Sequence, residues 1–272
     1  MKSVLTIAGS DSSGGAGIQA DIKAILANDV YAMSAITALT AQNTTGVVDI
    51  AYVGADFLKK QIEVVFTDIQ PEAVKTGMIA SPEQVKVIAD LMKLYEVENL
   101  VIDPVMIATS GAELANKDVV EAMIKYLFPI SKLITPNLLE TSTLLEILGE
   151  KYDLKDKTTD FDIERMAEKL SSSFECNVLV KGGHRKGACD DLLYEKFGKI
   201  TWLRSNKITN PNTHGSGCTL SSTIAANLAK GYTLNESVIL AKNYITEILK
   251  SDLNLGKGSG PLDHGYILRK GK

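Results

Sequence analysis

The chain alternates short apolar runs with longer segments whose apolar residues recur at helical spacing. The apolar runs predict buried strands at 4–8, 34–39, 73–76, 100–102, 133–134 and 177–180. Helical spacing predicts a helix at about 17–27 and another that opens at Asp56 and continues to Ile69. A third helix is predicted after Ser81, with this hydroxyl as N-cap, Pro82 in the first turn and Gln84 completing a capping box.

Strands that alternate with helices predict a doubly wound, mostly parallel α/β sheet with helices on both faces. The segment at 190–203 departs from this rhythm and predicts a hairpin that turns at Gly198 and forms a small antiparallel edge. No low-complexity linker or repeat interrupts the pattern, so residues 1–272 are interpreted as one domain.

Polar residues collect at the carboxyl ends of the predicted strands, where open parallel sheets bind ligands. Lys181 follows such a strand and could reach ATP phosphates as a compact point charge, or it could be an ordinary solvated lysine. Asp103 and Glu140 are suited to hold Mg²⁺ through water, because magnesium retains much of its hydration. Their alternative role is that of capping or first-turn carboxylates of a helix.

The segment NTHGSGCT, residues 212–219, comes before a predicted helix that Gly231 ends. Gly215 and Gly217 leave backbone N–H groups free to approach an anion, and the helix dipole adds positive charge there. This pattern predicts a phosphate cradle. Cys218 stands where the helix begins, so its thiol pKa is expected to fall from about 8.5 toward neutrality. Such a thiolate could take the proton of a substrate hydroxyl that attacks the γ-phosphate of ATP, whereas the alternative is a glycine turn followed by a buried cysteine.

The N-terminal segment GSDSSGGAG, residues 9–17, matches neither GxGxxG nor a P-loop, which argues against a dinucleotide-binding dehydrogenase or a Walker-type site. It could be a tight strand-to-helix turn, or, since Asp11 and Asp21 flank it, part of a site for a small polar ligand. Gln42 offers an amide donor and acceptor that could read the edge of a heteroaromatic ring.

Composition narrows the classes of partner. The 272 residues are 45% hydrophobic and 23% charged with a net charge of -4, which gives no general attraction to nucleic acid or anionic membranes. The N-terminal residues are typical of a first strand rather than a signal peptide, and no stretch approaches the ~18 apolar residues of a membrane span, so a cytoplasmic protein is expected. Three cysteines without a CxxC pair and three scattered histidines predict neither disulfides nor a zinc site.

The ordered set AGSDSSGGAGIQAD, TALTAQNTTGV, KTGM, DPVM, TPN, VKGGH, NTHGSGCT and GKGSGP closely resembles the hydroxymethylpyrimidine/phosphomethylpyrimidine kinases of thiamin biosynthesis, in the ribokinase superfamily. The resemblance implies ATP and Mg²⁺ as cofactors and a homodimer. It also implies an anion hole and catalytic base formed by Gly215, Ser216, Gly217 and Cys218, with Lys181 on phosphate and Asp103 and Glu140 near Mg-ATP. The implied pyrimidine pocket consists of Gly9, Ala16, Asp21, Gln42, Met78 and Val105.

Two alternatives stay open beside this family. Pyridoxal kinases share the GSDSSGGAG and HGxGC elements, although AQNTTGV around Gln42 favours the pyrimidine. A catalytically silent ligand-binding protein with the same fold is the other, because fold does not fix function. The sequence departs from the family in having GSGC where GTGC or GAGC is commoner, and in residues 150–161, which match no motif and are predicted to be a solvated connection.

Overall fold

The computed structural model describes residues 1–106, 114–150, 158–183, 189–206, 208–251, 253–266 and 269. The strands in this part of the chain are β1 (Ser3–Asp11), β2 (Tyr31–Asn43), β3 (Gly46–Tyr52), β4 (Ala73–Thr76), β5 (Leu100–Ile102), β6 (Leu133–Ile134), β7 (Asn177–Val180), β8 (Asp191–Tyr194) and β9 (Ile200–Leu203). The α-helices are α1 (Gly17–Ala27), α2 (Ala55–Phe66), α3 (Pro82–Leu94), α4 (Lys117–Ala122), α5 (Leu138–Ile147), α6 (Asp160–Phe174), α7 (Ser216–Ala229) and α8 (Leu234–Leu249). A π-helical segment, Met123–Leu127, and a 3₁₀ turn, Phe128–Ile130, extend α4.

The strands form a single sheet in the order β3-β2-β1-β4-β5-β6-β7-β8-β9. Pairing is parallel from β2 through β7, while β8 and β9 form the antiparallel edge predicted from 190–203, with Gly198 in the turn at φ 87°. The predicted mostly parallel α/β sheet with an edge hairpin is therefore confirmed.

A second hairpin, at the opposite edge, was missed by the sequence analysis. β2 continues well beyond 34–39 and pairs antiparallel with β3. The turn between them is held by Asn43, whose side-chain oxygen accepts from the Thr45 N–H at 2.8 Å. Most of β3 is exposed or half-buried, so it lacks the apolar run by which the other strands were found.

Successive side chains of a strand point to opposite faces of the sheet, so the strands contribute to one hydrophobic core on each face. Val74 and Ile102 point to the face that α2 to α6 cover, whereas Ala73 and Val101 point to the face of α1, α7 and α8. This pattern explains why the central strands read as continuous apolar runs, since both faces are buried. No helix in the described part of the chain has the length and apolar character that crossing a membrane requires.

Two helix predictions need correction. The Ser81 hydroxyl does cap α3, accepting from the Gln84 N–H at 3.3 Å, but no capping box forms. The buried Gln84 amide instead accepts from the Ala80 N–H and donates to the carbonyls of Thr37 and Val53, because these bonds satisfy all its polar atoms against the sheet. Helix α2 ends at Phe66, so Ile69 lies beyond it. Of the predicted solvated connection, residues 151–157 lie outside the described residues.

Candidate active site

A cavity of about 550 Å³ opens at the carboxyl ends of the parallel strands, where the sequence predicted a site. Its volume suits a small molecule with a bound nucleotide. The predicted site residues that line it are Gly9, Ala16, Gln42, Met78, Asp103, Val105, Glu140, Lys181, Gly215, Ser216, Gly217 and Cys218. The fold thus brings together side chains from both halves of the chain.

The glycine loop before α7 forms one wall of this cavity. Gly215 is the N-cap of α7 and has left-handed backbone angles, φ 79° and ψ 12°. It offers no side chain to cap the helix, so the first turn of α7 faces the cavity without a side-chain cap. Helix N-termini of this kind bind anions through free N–H groups and the helix dipole. The geometry fits the predicted phosphate cradle.

Cys218 lies in the first turn of α7 and its half-buried side chain lines the cavity, but its ionisation is opposite to the prediction. Burial raises the pKa of its thiol to about 11. Lys75 and the backbone N–H of Gly17 lower that pKa, whereas the carboxylates of Asp21 and Asp103 raise it. The expected fall toward neutrality is wrong for the free protein, because desolvation outweighs the helix dipole.

Lys181, Asp103 and Glu140 form a charge cluster beside the glycine loop. Lys181 Nζ lies 2.7 Å from Asp103 Oδ1 and 4.0 Å from Glu140 Oε2. Burial lowers the pKa of Lys181, but the two carboxylates more than compensate and raise it, so the ammonium is kept charged. Lys181 is therefore not the solvated surface lysine of the alternative interpretation.

Glu140 has the capping role that was one of the two alternatives for it. Its Oε2 accepts from the Asn137 N–H at 2.7 Å while Asn137 Oδ1 accepts from the Glu140 N–H, which is a capping box at the start of α5. Burial raises the pKa of Glu140 to about 7, against the opposing effect of Lys181. The capping role is thus real, and the carboxylate still lines the cavity.

Asp103 and Glu140 offer oxygen ligands of the kind that magnesium binds. The described residues contain no group of three or more His, Cys, Asp or Glu side chains that could hold a metal. Asp103 and Glu140, two carboxylates near one cation, fit Mg²⁺ nonetheless, since magnesium at phosphoryl-transfer sites is held by one or two carboxylates together with substrate phosphates and water.

Gln42 lies on β2 and lines the same cavity as Lys181. Its Oε1 accepts from the Thr40 hydroxyl at 3.0 Å, and its Nε2 lies 3.4 Å from His214 Nε2. Gly9 is in close contact with Met78, because a Cβ at this position would come within 3.0 Å of the Met78 sulfur. The predicted ring-reading amide and the predicted apolar contacts, Met78 and Val105, thus line the same cavity.

Asp21 is the one predicted pocket residue that does not line the cavity. Its side chain is completely buried, and both its oxygens accept from Lys75 Nζ at 2.8 Å. The prediction failed because Asp21 lies one turn into α1, on the face toward α7 and β4, where it meets an equally buried cation.

Asp11 was expected only to flank a site for a small polar ligand, and the sequence indicated no role for His214. His214 Nε2 lies 2.8 Å from Asp11 Oδ2, and Asp11 also accepts from the N–H groups of Ser13, Gly15 and Ala16. Burial raises the pKa of Asp11, yet these hydrogen bonds outweigh it and lower the pKa to about 2. The pair ties the N-terminal glycine segment to the loop before α7. The only signal for it in the sequence was the presence of both residues in glycine-rich segments.

The GKGSGP segment supports two sides of the cavity. Thr44, at the tip of the β2–β3 hairpin, accepts through its hydroxyl from the N–H groups of Lys257 and Gly258 at 3.1 and 3.2 Å. The Gly260 carbonyl accepts from the His214 N–H at 3.1 Å. One segment thus holds both the hairpin that carries Gln42 and the glycine loop that precedes α7.

The sheet is ribokinase-like, and the cavity at its strand ends is lined by the start of a helix, a lysine paired with carboxylates and a thiol. Together these features define a small-molecule kinase. A sequence model described as phosphomethylpyrimidine kinase matches residues 11–263, and the chain belongs to that family. It is 40% identical over 268 residues to the hydroxymethylpyrimidine/phosphomethylpyrimidine kinase of Haemophilus influenzae, covering 97% of each chain. It is 42% identical to the protein of the same name from Rhizobium meliloti, covering 96% of each chain.

Solved structures agree with the fold. A crystal structure of phosphomethylpyrimidine kinase from Clostridium difficile is 45% identical with a TM-score of 0.78, covering 91% of this chain and 99% of that one. Pyridoxal kinase from Staphylococcus aureus in complex with pyridoxal is 33% identical with a TM-score of 0.87, covering 99% of this chain and 95% of that one. The predicted family, the kinase class and the ribokinase-like fold are confirmed.

Proposed function

We propose that the protein transfers the γ-phosphoryl group of Mg-ATP to the hydroxymethyl oxygen of 4-amino-5-hydroxymethyl-2-methylpyrimidine, and a second phosphoryl group to the resulting monophosphate, in thiamin biosynthesis. The observation that carries the proposal is that Cys218, Lys181 and the Gly215 loop open on the same cavity as Gln42. Family membership and the names of the close relatives support the substrate.

In the proposed reaction the substrate oxygen attacks the γ-phosphorus, its proton passes to the sulfur of Cys218, and the bond from phosphorus to the β,γ-bridging oxygen breaks to release ADP. The N–H groups at the start of α7 and the ammonium of Lys181 stabilise the charge on the transferring group. Asp103 and Glu140 would hold magnesium through water, and the bound ion would neutralise phosphate charge. Positioning supplies most of the catalysis.

The high thiol pKa makes proton acceptance the demanding step. With a pKa of about 11 in the free protein, Cys218 is mostly protonated at neutral pH. Only the thiolate can take the hydroxyl proton, so the rate should follow the fraction of thiolate. Any group that shifts the pKa of Cys218 then tunes turnover.

Pyridoxal kinase activity is the second candidate. The observation that favours it is the TM-score of 0.87 to the pyridoxal kinase of Staphylococcus aureus, over 99% of this chain. Pyridoxal also presents a ring nitrogen and a hydroxymethyl group, so the same cavity could orient it. The pyrimidine is preferred because both the family model and the C. difficile structure, at the higher sequence identity of 45%, carry its name.

The decisive experiment compares kcat/KM for hydroxymethylpyrimidine, its monophosphate and pyridoxal with one enzyme preparation. The proposal expects both pyrimidines to be used in preference to pyridoxal. Gln42→Ala should lower kcat/KM for the pyrimidine about tenfold or more, since it removes a hydrogen bond to a buried polar edge. Gln42→Glu complements it, because it keeps the size of the side chain while it replaces the amide donor with a carboxylate oxygen and adds a negative charge. Binding of any of the three without ATP consumption would instead establish the silent protein.

A homodimer and a cytoplasmic location belong to the same proposal. Val48 and Tyr52 on the edge strand β3 expose 82% and 67% of their surface, and this exposed apolar surface supports self-association there. Sedimentation equilibrium of the native chain and of Val48→Lys tests the dimer, which the charged variant should weaken.

A further inference from the structure

Lys75 and Asp21 form an ion pair from which solvent is fully excluded. Lys75 lies on β4, in the KTGM motif, and neither side chain has any exposed surface. The Thr6 and Ser222 hydroxyls donate to the same carboxylate, each at 2.6 Å. The pair lines no part of the cavity, and the proposed reaction leaves it without a role.

Stability is a poor reason for such a pair. Burying two charges costs several kcal/mol per ion, and an apolar pair of similar volume is often as stable or more so. Met and Asn in place of Lys75 and Asp21 would keep similar volumes without the cost of burying two charges. The charges therefore point to another role.

Their position relative to Cys218 supplies one. Helices α1 and α7 are in contact, and Ser222 lies one turn beyond Cys218 on the same face of α7. On α1, Asp21 lies one turn beyond Gly17. The Ser222 hydroxyl donates to Asp21, and the Gly17 N–H faces the Cys218 sulfur, so the two helices make these contacts one turn apart. Lys75 pairs with Asp21 and is therefore about one helical turn from the sulfur.

The charges that act on Cys218 come from four elements packed around it. Burial itself opposes ionisation most, and Lys75 on β4 opposes that effect. Asp21 on α1 and Asp103, after β5, disfavour the thiolate, while Lys181, after β7, interacts with it favourably. Reciprocally, Cys218 is among the groups that raise the pKa of Lys75. Both ammonium groups have a buried carboxylate partner, but only the side chain of Lys75 is itself fully excluded from solvent.

We propose that Lys75, held by Asp21, is a positioning residue that stabilises the thiolate of Cys218 from behind the active site. Its fixed charge is fully buried and does not line the cavity, so it can act without contacting either substrate. This inference rests on the proposed function, in which Cys218 accepts the hydroxyl proton. It adds that the buried ion pair sets how readily the sulfur does so.

The experiment measures the rate of Cys218 alkylation by iodoacetamide against pH, without ATP or substrate, in two variants that shift the charge in opposite directions. Asp21→Asn keeps the shape and the hydroxyl partners but removes the negative charge, so the pKa of Cys218 should fall and alkylation at pH 8 should accelerate. Lys75→Met/Asp21→Asn removes both charges, so the pKa should rise above that of the wild type and alkylation should slow, about tenfold for each pKa unit. Cys218→Ala in each background gives the signal of the other cysteines.

Thr6→Val is the matched control, since it removes a hydrogen bond to Asp21 and no charge, and it should leave the pH profile of alkylation near that of the wild type. Shifts of opposite sign in the two charge variants support the proposal. A shift of the same sign in both, or none in either, overturns it, because loss of packing alone has no charge-dependent sign. If Asp21→Asn does not fold, the charge-neutral double variant decides alone, through a raised or an unchanged pKa.

A kinetic readout separates this inference from the proposed function. The double variant should lose kcat in proportion to its thiolate fraction while KM for the pyrimidine stays within about twofold, since neither residue lines the cavity. Shifted alkylation with unchanged kcat would retain the link between Lys75 and Cys218 and remove Cys218 as the base. If alkylation is not shifted but Cys218→Ala loses activity, Cys218 is retained as the base and the link between Lys75 and Cys218 is rejected.

Discussion

Gly215→Ala is the most informative single perturbation of the glycine loop, because two separate effects of a methyl group can be worked out from the structure. Gly215 has φ 79°, a left-handed conformation that costs any residue with a Cβ roughly 1 kcal/mol. The added Cβ would also lie 2.9 Å from the carbonyl carbon of Gly15 and 3.0 Å from Ala16 Cα, and closer still to the Gly15 oxygen. These are backbone atoms, which cannot rotate away as a flexible side chain can.

The second effect determines the loss of activity. Carbon atoms pack comfortably at about 3.5 Å or more, so the two loops must separate by at least about half an ångström. That movement displaces the first turn of α7 from the N-terminal glycine segment, and a misplacement of about 1 Å can cost about 100-fold in rate. We expect kcat to fall about 10- to 100-fold and the free energy of unfolding to fall by about 1–3 kcal/mol.

Gly231→Ala, just past the other end of α7, is the matched control for the assay. It has φ 91°, but a Cβ there would meet no atom within 4 Å, so it carries the backbone strain without the clash. Steady-state kinetics and urea unfolding of both variants separate the two effects. Gly231→Ala should lose about 1 kcal/mol of stability with unchanged kcat. Equal kcat in the two variants would refute the steric reasoning.

Three further outcomes are expected. Cys218→Ala should lower kcat about 100-fold or more with little change in the dissociation constant of the pyrimidine, measured by calorimetry, and undiminished turnover would exclude the sulfur as base. Thr44→Val loses the acceptor for the Lys257 and Gly258 N–H groups, so steady-state kinetics should show a severalfold higher KM for the pyrimidine, and an unchanged KM would show that the hairpin needs no such support. Burial lowers the pKa of His264 to about 4 from 6.5, so the stability linked to it is complete above pH 6.5 and is lost as the pH falls through 4. Urea unfolding should show a loss of roughly 2 kcal/mol from this group between pH 7 and pH 5, absent in His264→Gln, and equal slopes in both proteins would contradict it.

Much of the sheet could be predicted because the ends of its central strands can be recognised in the sequence. Strands β4 to β7 begin and end where the apolar runs at 73–76, 100–102, 133–134 and 177–180 begin and end. Such runs arise because both faces are buried, and the polar residues that follow them mark the edge of the sheet where ligands bind. Strand β3 was not predicted because an exposed edge strand has no continuous apolar run.

Most of the predicted site residues line one cavity, but the ionisation expected for Cys218 was wrong. Gln42, Lys181 and Cys218 do share one cavity, as the motifs suggested. Asp21 belongs to the same motif as Ala16 but points into the protein, which no local pattern reveals. Local geometry also gave the wrong sign for the thiol, since a helix start lowers a thiol pKa only when desolvation does not dominate.

The sequence by itself determined the central strands, the family and the set of chemical groups, because hydrophobic periodicity, glycine placement and motif order are properties of neighbouring residues. Only the tertiary structure decided the charge state of those groups. Lys75 and Cys218 are far apart along the chain, and the pKa of each depends on the burial and the partners that folding imposes. Desolvation and Coulomb interactions act through space, so they cannot be determined from the sequence until the fold has placed the charges.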